Sequence, residues 1–230
     1  MHANAHGMTH LATVVVVGTG TDVGKTHVTA ALLRAAREQG RRVLGYKPVA
    51  TGCTTSCEDA ERHAEAAGAP VIPPSFTYAR PVSPHLAARE EGRPVRIETI
   101  VARAAELASA AGGLVLETAG GLFSPLSEQA TNADLCRALP GAKLLLVAPD
   151  RLGVLHDVKA TLLAATALGL PIDALVLSAP AEPDAATGTH AAELAAVGSF
   201  QVAAVFPRRP FDAAESLAAA ARTWAALPAR

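Results

Sequence analysis

A chain of 230 residues, 50% hydrophobic and 18% charged, carries enough apolar material for the core of one α/β domain. Its formal net charge of −1 leaves no electrostatic footprint for nucleic acid, and Arg208-Arg209 is the only late basic pair. Lys and Arg interrupt every long apolar run, so no segment reads as a membrane span.

Residues 1–11 lack the basic-then-apolar pattern of a signal peptide, which points to the cytoplasm. With His2, His6 and His10 they read as a disordered leader, and one domain is expected over 12–230. A strand follows at Thr13–Val17, whose four valines suit burial on both faces. It runs into Gly18-Thr19-Gly20-Thr21-Asp22-Val23-Gly24-Lys25-Thr26, where Gly-Lys-Thr opens a helix.

Such a loop wraps backbone N–H groups around a polyphosphate, and the helix N-terminus adds donors and partial positive charge. Lys25 is placed to reach the β/γ-phosphates, and the Thr26 hydroxyl to bind Mg²⁺. The commonest form, G-x-x-x-x-G-K-[ST], has glycine where this chain has Thr19, with Gly18 and Gly20 on either side. The motif is a variant P-loop, and it predicts binding of a nucleoside triphosphate.

Further strands are expected at Arg42–Tyr46, Leu114–Glu117, Lys143–Ala148, Ala174–Ser178 and Val202–Phe206. Helical periodicity occupies Gly24–Gln39, Glu58–Ala67, Arg96–Ala110, Val154–Leu168, Ala185–Ala196 and Asp212–Ala226. This alternation implies a doubly wound, mostly parallel α/β sheet with helices on both faces. Ligands on such sheets bind at the carboxyl ends of the strands, so the residues after each strand are the site candidates.

The second strand ends in Gly45-Tyr46-Lys47-Pro48-Val49-Ala50-Thr51-Gly52, which brings a lysine and a threonine to that edge. The chain holds only four lysines against 16 arginines, and Lys25 and Lys47 both lie beside the nucleotide loop. The next helix opens with Glu58-Asp59, and the third strand ends Glu117-Thr118-Ala119-Gly120-Gly121. Glu117 follows three apolar residues, so it is expected half-buried, where a cation must offset its desolvation. Acidic strand ends beside a P-loop hold Mg²⁺ or its waters. Cys53, Cys57 and Cys136 fit a reducing compartment better than a disulfide framework, and Cys53/Cys57 lack a second ligand pair for a metal.

These motifs together resemble the dethiobiotin synthetase family. Its G-T-x-T-x-V-G-K-T loop matches residues 18–26, and G-Y-K-P-V-A-[ST]-G matches 45–52. Pro81-Val82-Ser83-Pro84-His85 resembles P-x-S-P-H. E-G-A-G-G-x-x-x-P-L matches 117–126 except at Thr118, and Leu152-Gly153 resembles the L-G after the fourth strand. The resemblance spans residues 13 to 210. It implies ring-closing carboxylation of 7,8-diaminopelargonate with CO₂ and ATP, through a carbamate and a carbamoyl phosphate, to dethiobiotin, ADP and phosphate.

By the same resemblance, Lys25 holds the β/γ-phosphates, and Lys47 the carbamate and γ-phosphate. Thr26, Asp59 and Glu117 bind or orient Mg²⁺, Thr21 and Thr51 contact the diamine, and Asp22 lies near its amines. The implied nucleotide set is completed by Val23, Gly24, His27, Thr118, Ala119, Gly120, Ser178, Ala179, Pro207, Arg208 and Arg209. A homodimer with shared sites is implied, in which the Gly153-Val154-Leu155-His156 loop receives the substrate carboxylate on backbone N–H groups.

The chain departs from the family at Thr118, which puts a side chain near the γ-phosphate region. It departs again at His156, where asparagine is usual, and at Ser178-Ala179, where the family has Asn-Asp. Ser178 offers one hydroxyl where an amide offers donor and acceptor together, so weak discrimination among nucleotide bases is expected.

Three other readings compete: a related ligase with another substrate, a P-loop switch ATPase of the partitioning type, and a metal-delivery GTPase. The switch class usually carries an extra lysine early in the loop, absent from Thr19 to Thr21. The GTPase needs an N-K-x-D-like motif, and Ser178-Ala179-Pro180 is not one.

Overall fold

The computed structural model describes residues 13–198 and 200–227, so the leader expected over 1–11 lies outside the described residues. Strand β1 (Thr13–Gly18) lies inside a six-stranded sheet, parallel to β5 (Leu114–Gly121) on one side and β6 (Lys143–Pro149) on the other. β2 (Leu44–Tyr46) pairs with β5 at one edge, and β7 (Ala174–Ser178) and β8 (Val202–Phe206) extend the other. The order is β2-β5-β1-β6-β7-β8, with all pairs parallel.

The valine run explains the two-sided burial. Alternate side chains leave a strand on opposite faces. Val14 and Val16 join a core with α1 (Lys25–Glu38) and α8 (Ala214–Ala226), while Val15 and Val17 join one with α4 (Ile97–Ala111), α6 (Val154–Ala167) and α7 (His190–Gly198). The doubly wound α/β architecture expected from the alternation is therefore the observed one.

Three features differ from the expectation. Pro48 has no N–H for a ladder, and the chain leaves β2 there. It then forms β3 (Val49–Thr51), which pairs with β4 (Phe76–Tyr78) in a separate two-stranded sheet. Short helices α3 (Pro84–Glu90) and α5 (Asn132–Arg137) were too brief to show a period; a proline at the start marks one, and a Thr131/Asp134 capping box the other. Finally, α7 begins at His190 rather than Ala185. Asp184 intervenes: one carboxylate oxygen accepts from Ala186 N at 2.8 Å and the other from Leu152 N at 2.7 Å, which favours a turn over a helix. Among the described residues no helix is long and apolar enough to cross a membrane.

Candidate active site

The loop after β1 is held in an uncommon shape. Asp22 has φ 55°, the only positive value at a non-glycine among the described residues. Such a conformation costs on the order of 1–3 kcal/mol and persists where the surroundings impose it. Gly24, at φ 95°, leads into α1, and a Cβ there would lie 2.2 Å from Ser178 Oγ, so only glycine lets β7 approach the loop this closely. Lys25 folds back to donate to Gly20 O at 2.8 Å. Burial brings its pKa down to about 8 against the pull of Glu117, with Lys47 adding repulsion.

Beside the loop lies a buried charged cluster. Lys47, just beyond β2, donates to Glu117 Oε1 at 2.6 Å and pairs with Asp59 Oδ2 at 2.9 Å. The Thr26 hydroxyl lies 2.9 Å from both Asp59 Oδ1 and Glu117 Oε1. Glu117 is fully buried rather than half-buried. Burial opposes its ionisation, but Lys47 and His63 outweigh that and hold the carboxyl well below the usual range. Burial likewise opposes the charge on Lys47, and Glu117 and Asp59 more than reverse it, holding the ammonium above its usual value.

His63 was not singled out in the sequence. It sits one turn after Asp59 on α2 (Glu58–Ala67), and its Nε2 lies 2.8 Å from Glu117 Oε2. The i, i+4 spacing from Asp59 was the available signal. Asn132 also escaped notice; its side-chain amide donates to Ala119 O at 2.7 Å and Gly121 O at 2.8 Å, fixing the end of β5.

A cleft of about 740 Å³ gathers most of the expected residues: Thr21, Asp22, Gly24, Lys25, Thr26, His27, Lys47, Thr51, Asp59, Glu117, Ala119 and Gly120. Other expected residues stand apart from it. Val23 is buried beneath the loop. Thr118 is buried too and donates to Val16 O at 3.1 Å, so its hydroxyl is engaged within the sheet instead of reaching toward a phosphate. Ser178 is buried against Gly24, Ala179 and Pro207 follow β7 and β8, and Arg208 and Arg209 are exposed. His27 stacks edge-on to Phe206, and burial lowers its pKa.

Gly153, Val154, Leu155 and His156 are not brought to this cleft within the one chain. Leu155 and His156 line a second, apolar cleft of about 580 Å³ between α6 and α7. Cys53 and Cys57 line the P-loop cleft as free thiols, and burial and Cys57 push the Cys53 thiol up to about 11. Among the described residues, no three His, Cys, Asp or Glu side chains are grouped to hold a metal. Two carboxylates with a hydroxyl still fit Mg²⁺, which takes few protein oxygens and completes its shell with water and phosphate.

A parallel sheet that feeds a glycine-rich loop into a helix N-terminus, with lysine, threonine and two carboxylates converging there, defines a P-loop nucleotide-binding protein. The AAA domain model matches residues 12–215. Solved neighbours share this fold: a ParA family ATPase from Chlorobium tepidum TLS has a TM-score of 0.56 at 15% identity, covering 96% of this chain and 94% of that one. The ATP-dependent dethiobiotin synthetase BioD of Anaeromyxobacter dehalogenans (strain 2CP-C) is 40% identical over 201 residues, 85% of this chain and 89% of the relative. The protein of that name from Rhodopirellula baltica is 40% identical over 202 residues, covering 78% and 77%. The chain belongs to the dethiobiotin synthetase family.

Proposed function

We infer that this protein is an ATP-dependent dethiobiotin synthetase, a ligase of biotin biosynthesis. The observation that carries the reading, beside the family relationship, is the Lys47–Glu117–Asp59–Thr26 group next to the P-loop in one cleft. The partitioning-type switch shares the fold, but its likeness at 15% identity extends to the fold alone.

In the proposed reaction, one amine of 7,8-diaminopelargonate loses a proton and its nitrogen bonds to CO₂, giving a carbamate. A carbamate oxygen then attacks the γ-phosphorus and ADP leaves. The second amine attacks the carbonyl carbon, phosphate leaves, and the nitrogen gives up a proton to solvent as the cyclic urea closes. The difficulty is electrostatic, because an anion must approach a polyanion. Lys25 binds the β/γ-phosphates from the loop. Lys47 is held charged by its two carboxylates, which fixes a positive charge beside the transferring phosphoryl group. Thr21 and Thr51 present hydroxyls to the diamine, and Asp22 a carboxylate to its amines.

Thr26, Asp59 and Glu117 are the residues that would hold Mg²⁺; the ion would supply positive charge to offset that of the triphosphate.

We further propose that 12–230 act as one domain, since both cores share the one sheet, and that two copies pair through α6 and α7. Leu163 and Val197, each 64% exposed, lie along the apolar cleft between those helices, and Leu152, 72% exposed, sits just before α6. Pairing there covers that surface and presents Gly153–His156 for the substrate carboxylate.

Incubation with ATP, the diamine and ¹³C-bicarbonate tests the chemistry. The label is expected in the ring carbonyl of the product by mass spectrometry; unlabelled product, or none, rejects the reading.

A further inference from the structure

Glu117 divides its two oxygens between two tasks. Oε1 receives Lys47 Nζ at 2.6 Å and lies 2.9 Å from Thr26 Oγ1, whereas Oε2 faces only His63 Nε2, at 2.8 Å, among its hydrogen-bond partners. Both side chains of that second contact are 1% exposed. An ionised carboxylate only accepts, so Nε2 carries the hydrogen and donates it.

Packing alone does not account for an imidazole at this position. Its Nδ1 is buried with no hydrogen-bond partner, a loss that an apolar side chain of similar size would avoid. The backbone is also shaped around it. A Cβ on Gly45 would lie 2.7 Å from His63 Cβ and 2.6 Å from Leu33 Cδ1, so a glycine in β2 is what lets α2 come close enough for the ring to reach Glu117. Asp59 and His63, one turn apart, put one acid and the orienting group of the other on the same helix face.

We propose that His63 is a positioning residue: its Nε2–H fixes the plane of the Glu117 carboxylate so that Oε1 is presented to Thr26, Lys47 and the Mg²⁺ ion. This rests on the reading that Thr26, Asp59 and Glu117 hold that ion. His63 itself touches Glu117 at Oε2, and it is absent from the cleft lining. Outer-shell hydrogen bonds of this kind change metal affinity by about 10–100-fold when removed.

The test compares His63→Leu, His63→Asn and His63→Gln. A glutamine amide places a donor near the position of Nε2, while an asparagine amide falls short of it. Mn²⁺ is titrated by electron paramagnetic resonance into each full-length protein with a non-hydrolysable ATP analogue bound. Binding of the analogue in chelator and thermal melting are measured alongside. The expected result is roughly tenfold weaker Mn²⁺ binding for His63→Leu and His63→Asn, near-parental binding for His63→Gln, and unchanged analogue binding in chelator.

Parental Mn²⁺ affinity in the leucine and asparagine variants overturns the proposal, as does a glutamine variant as weak as the leucine one. Should the leucine variant fail to fold, the asparagine–glutamine contrast decides. Glu117→Gln separates the two levels: if it loses Mn²⁺ while His63→Asn does not, only the role of His63 falls. If Glu117→Gln also binds Mn²⁺ like the parent, the Mg²⁺ site falls and takes the His63 proposal with it.

Discussion

Lys47 Nζ sits 2.6 Å from Glu117 Oε1, with both side chains buried, and this pair joins β2 to β5 at the mouth of the P-loop. Lys47 is the counter-ion of two carboxylates and, in the proposed reaction, also the charge offered to the reacting phosphoryl group. Lys47→Ala is expected to reduce turnover by about 10²–10³, the typical loss for one preorganised charge contact. Leaving a buried carboxylate without its partner is also expected to destabilise the fold by about 3–5 kcal/mol. Steady-state kinetics and denaturant titration check both, with nucleotide binding largely retained. Unchanged turnover would return Lys47 to a purely structural role.

The same pair sets an acid limit on stability. The folded-state pKa of Glu117 lies below its ordinary value of 4.5, so the unfolded chain binds the extra proton as pH falls. The stabilisation is therefore fully present above about 4.5 and is lost as pH drops toward the folded value. Melting temperature measured in chelator is expected to fall with acidification more steeply for the parent than for Glu117→Gln. Identical pH dependence in the two proteins would remove this coupling.

The sheet was legible because Val14–Val17 reads as a run buried on both faces, and helical periods separated the strands. The P-loop, Lys47 and Glu117 were legible as strand-end residues and Asp59 as an acid opening the next helix, and the topology brings them to one cleft. Glu117 lies deeper than expected because α2, distant in sequence, brings His63 against its Oε2. His63 and Asn132 escaped notice for a related reason: each acts on a residue distant in sequence, Glu117 or the end of β5, and neither belongs to a local motif. The Thr118 hydroxyl bonds to Val16 O, a contact set by the pairing of β5 with β1 and not by a local motif. The parting of β3 from β2 follows from Pro48, which has no N–H for the ladder.

Base selectivity follows from what surrounds β7 and β8. Ser178 packs against Gly24 with a single hydroxyl, and Arg208 and Arg209 are exposed groups able to stack on any base. One hydrogen bond of discrimination is worth about 1 kcal/mol, within roughly tenfold in affinity. CTP, GTP and UTP are expected to support turnover within about an order of magnitude of ATP in kcat/KM at fixed Mg²⁺ and diamine. A preference for ATP beyond about a hundredfold would mean that backbone groups read the adenine edge.

The exposed apolar face of α6 makes the dimer testable. Leu163→Asp places a charge in the proposed contact and is expected to yield monomers by light scattering, with activity lost if, as proposed, the partner supplies the carboxylate loop. Mixing a Lys25 variant with a His156 variant is expected to restore partial activity through heterodimers. A parent protein that is strictly monomeric at assay concentration contradicts the arrangement.

The central claim is that hydrolysis of the triphosphate is coupled to carboxylation of a diamine, and the most direct measurement is ADP release by the purified protein with bicarbonate, with and without 7,8-diaminopelargonate. ADP formation is expected to depend on the diamine and to match dethiobiotin formation mole for mole. ADP released at the same rate without the diamine would contradict a synthetase and favour a nucleotide-driven switch.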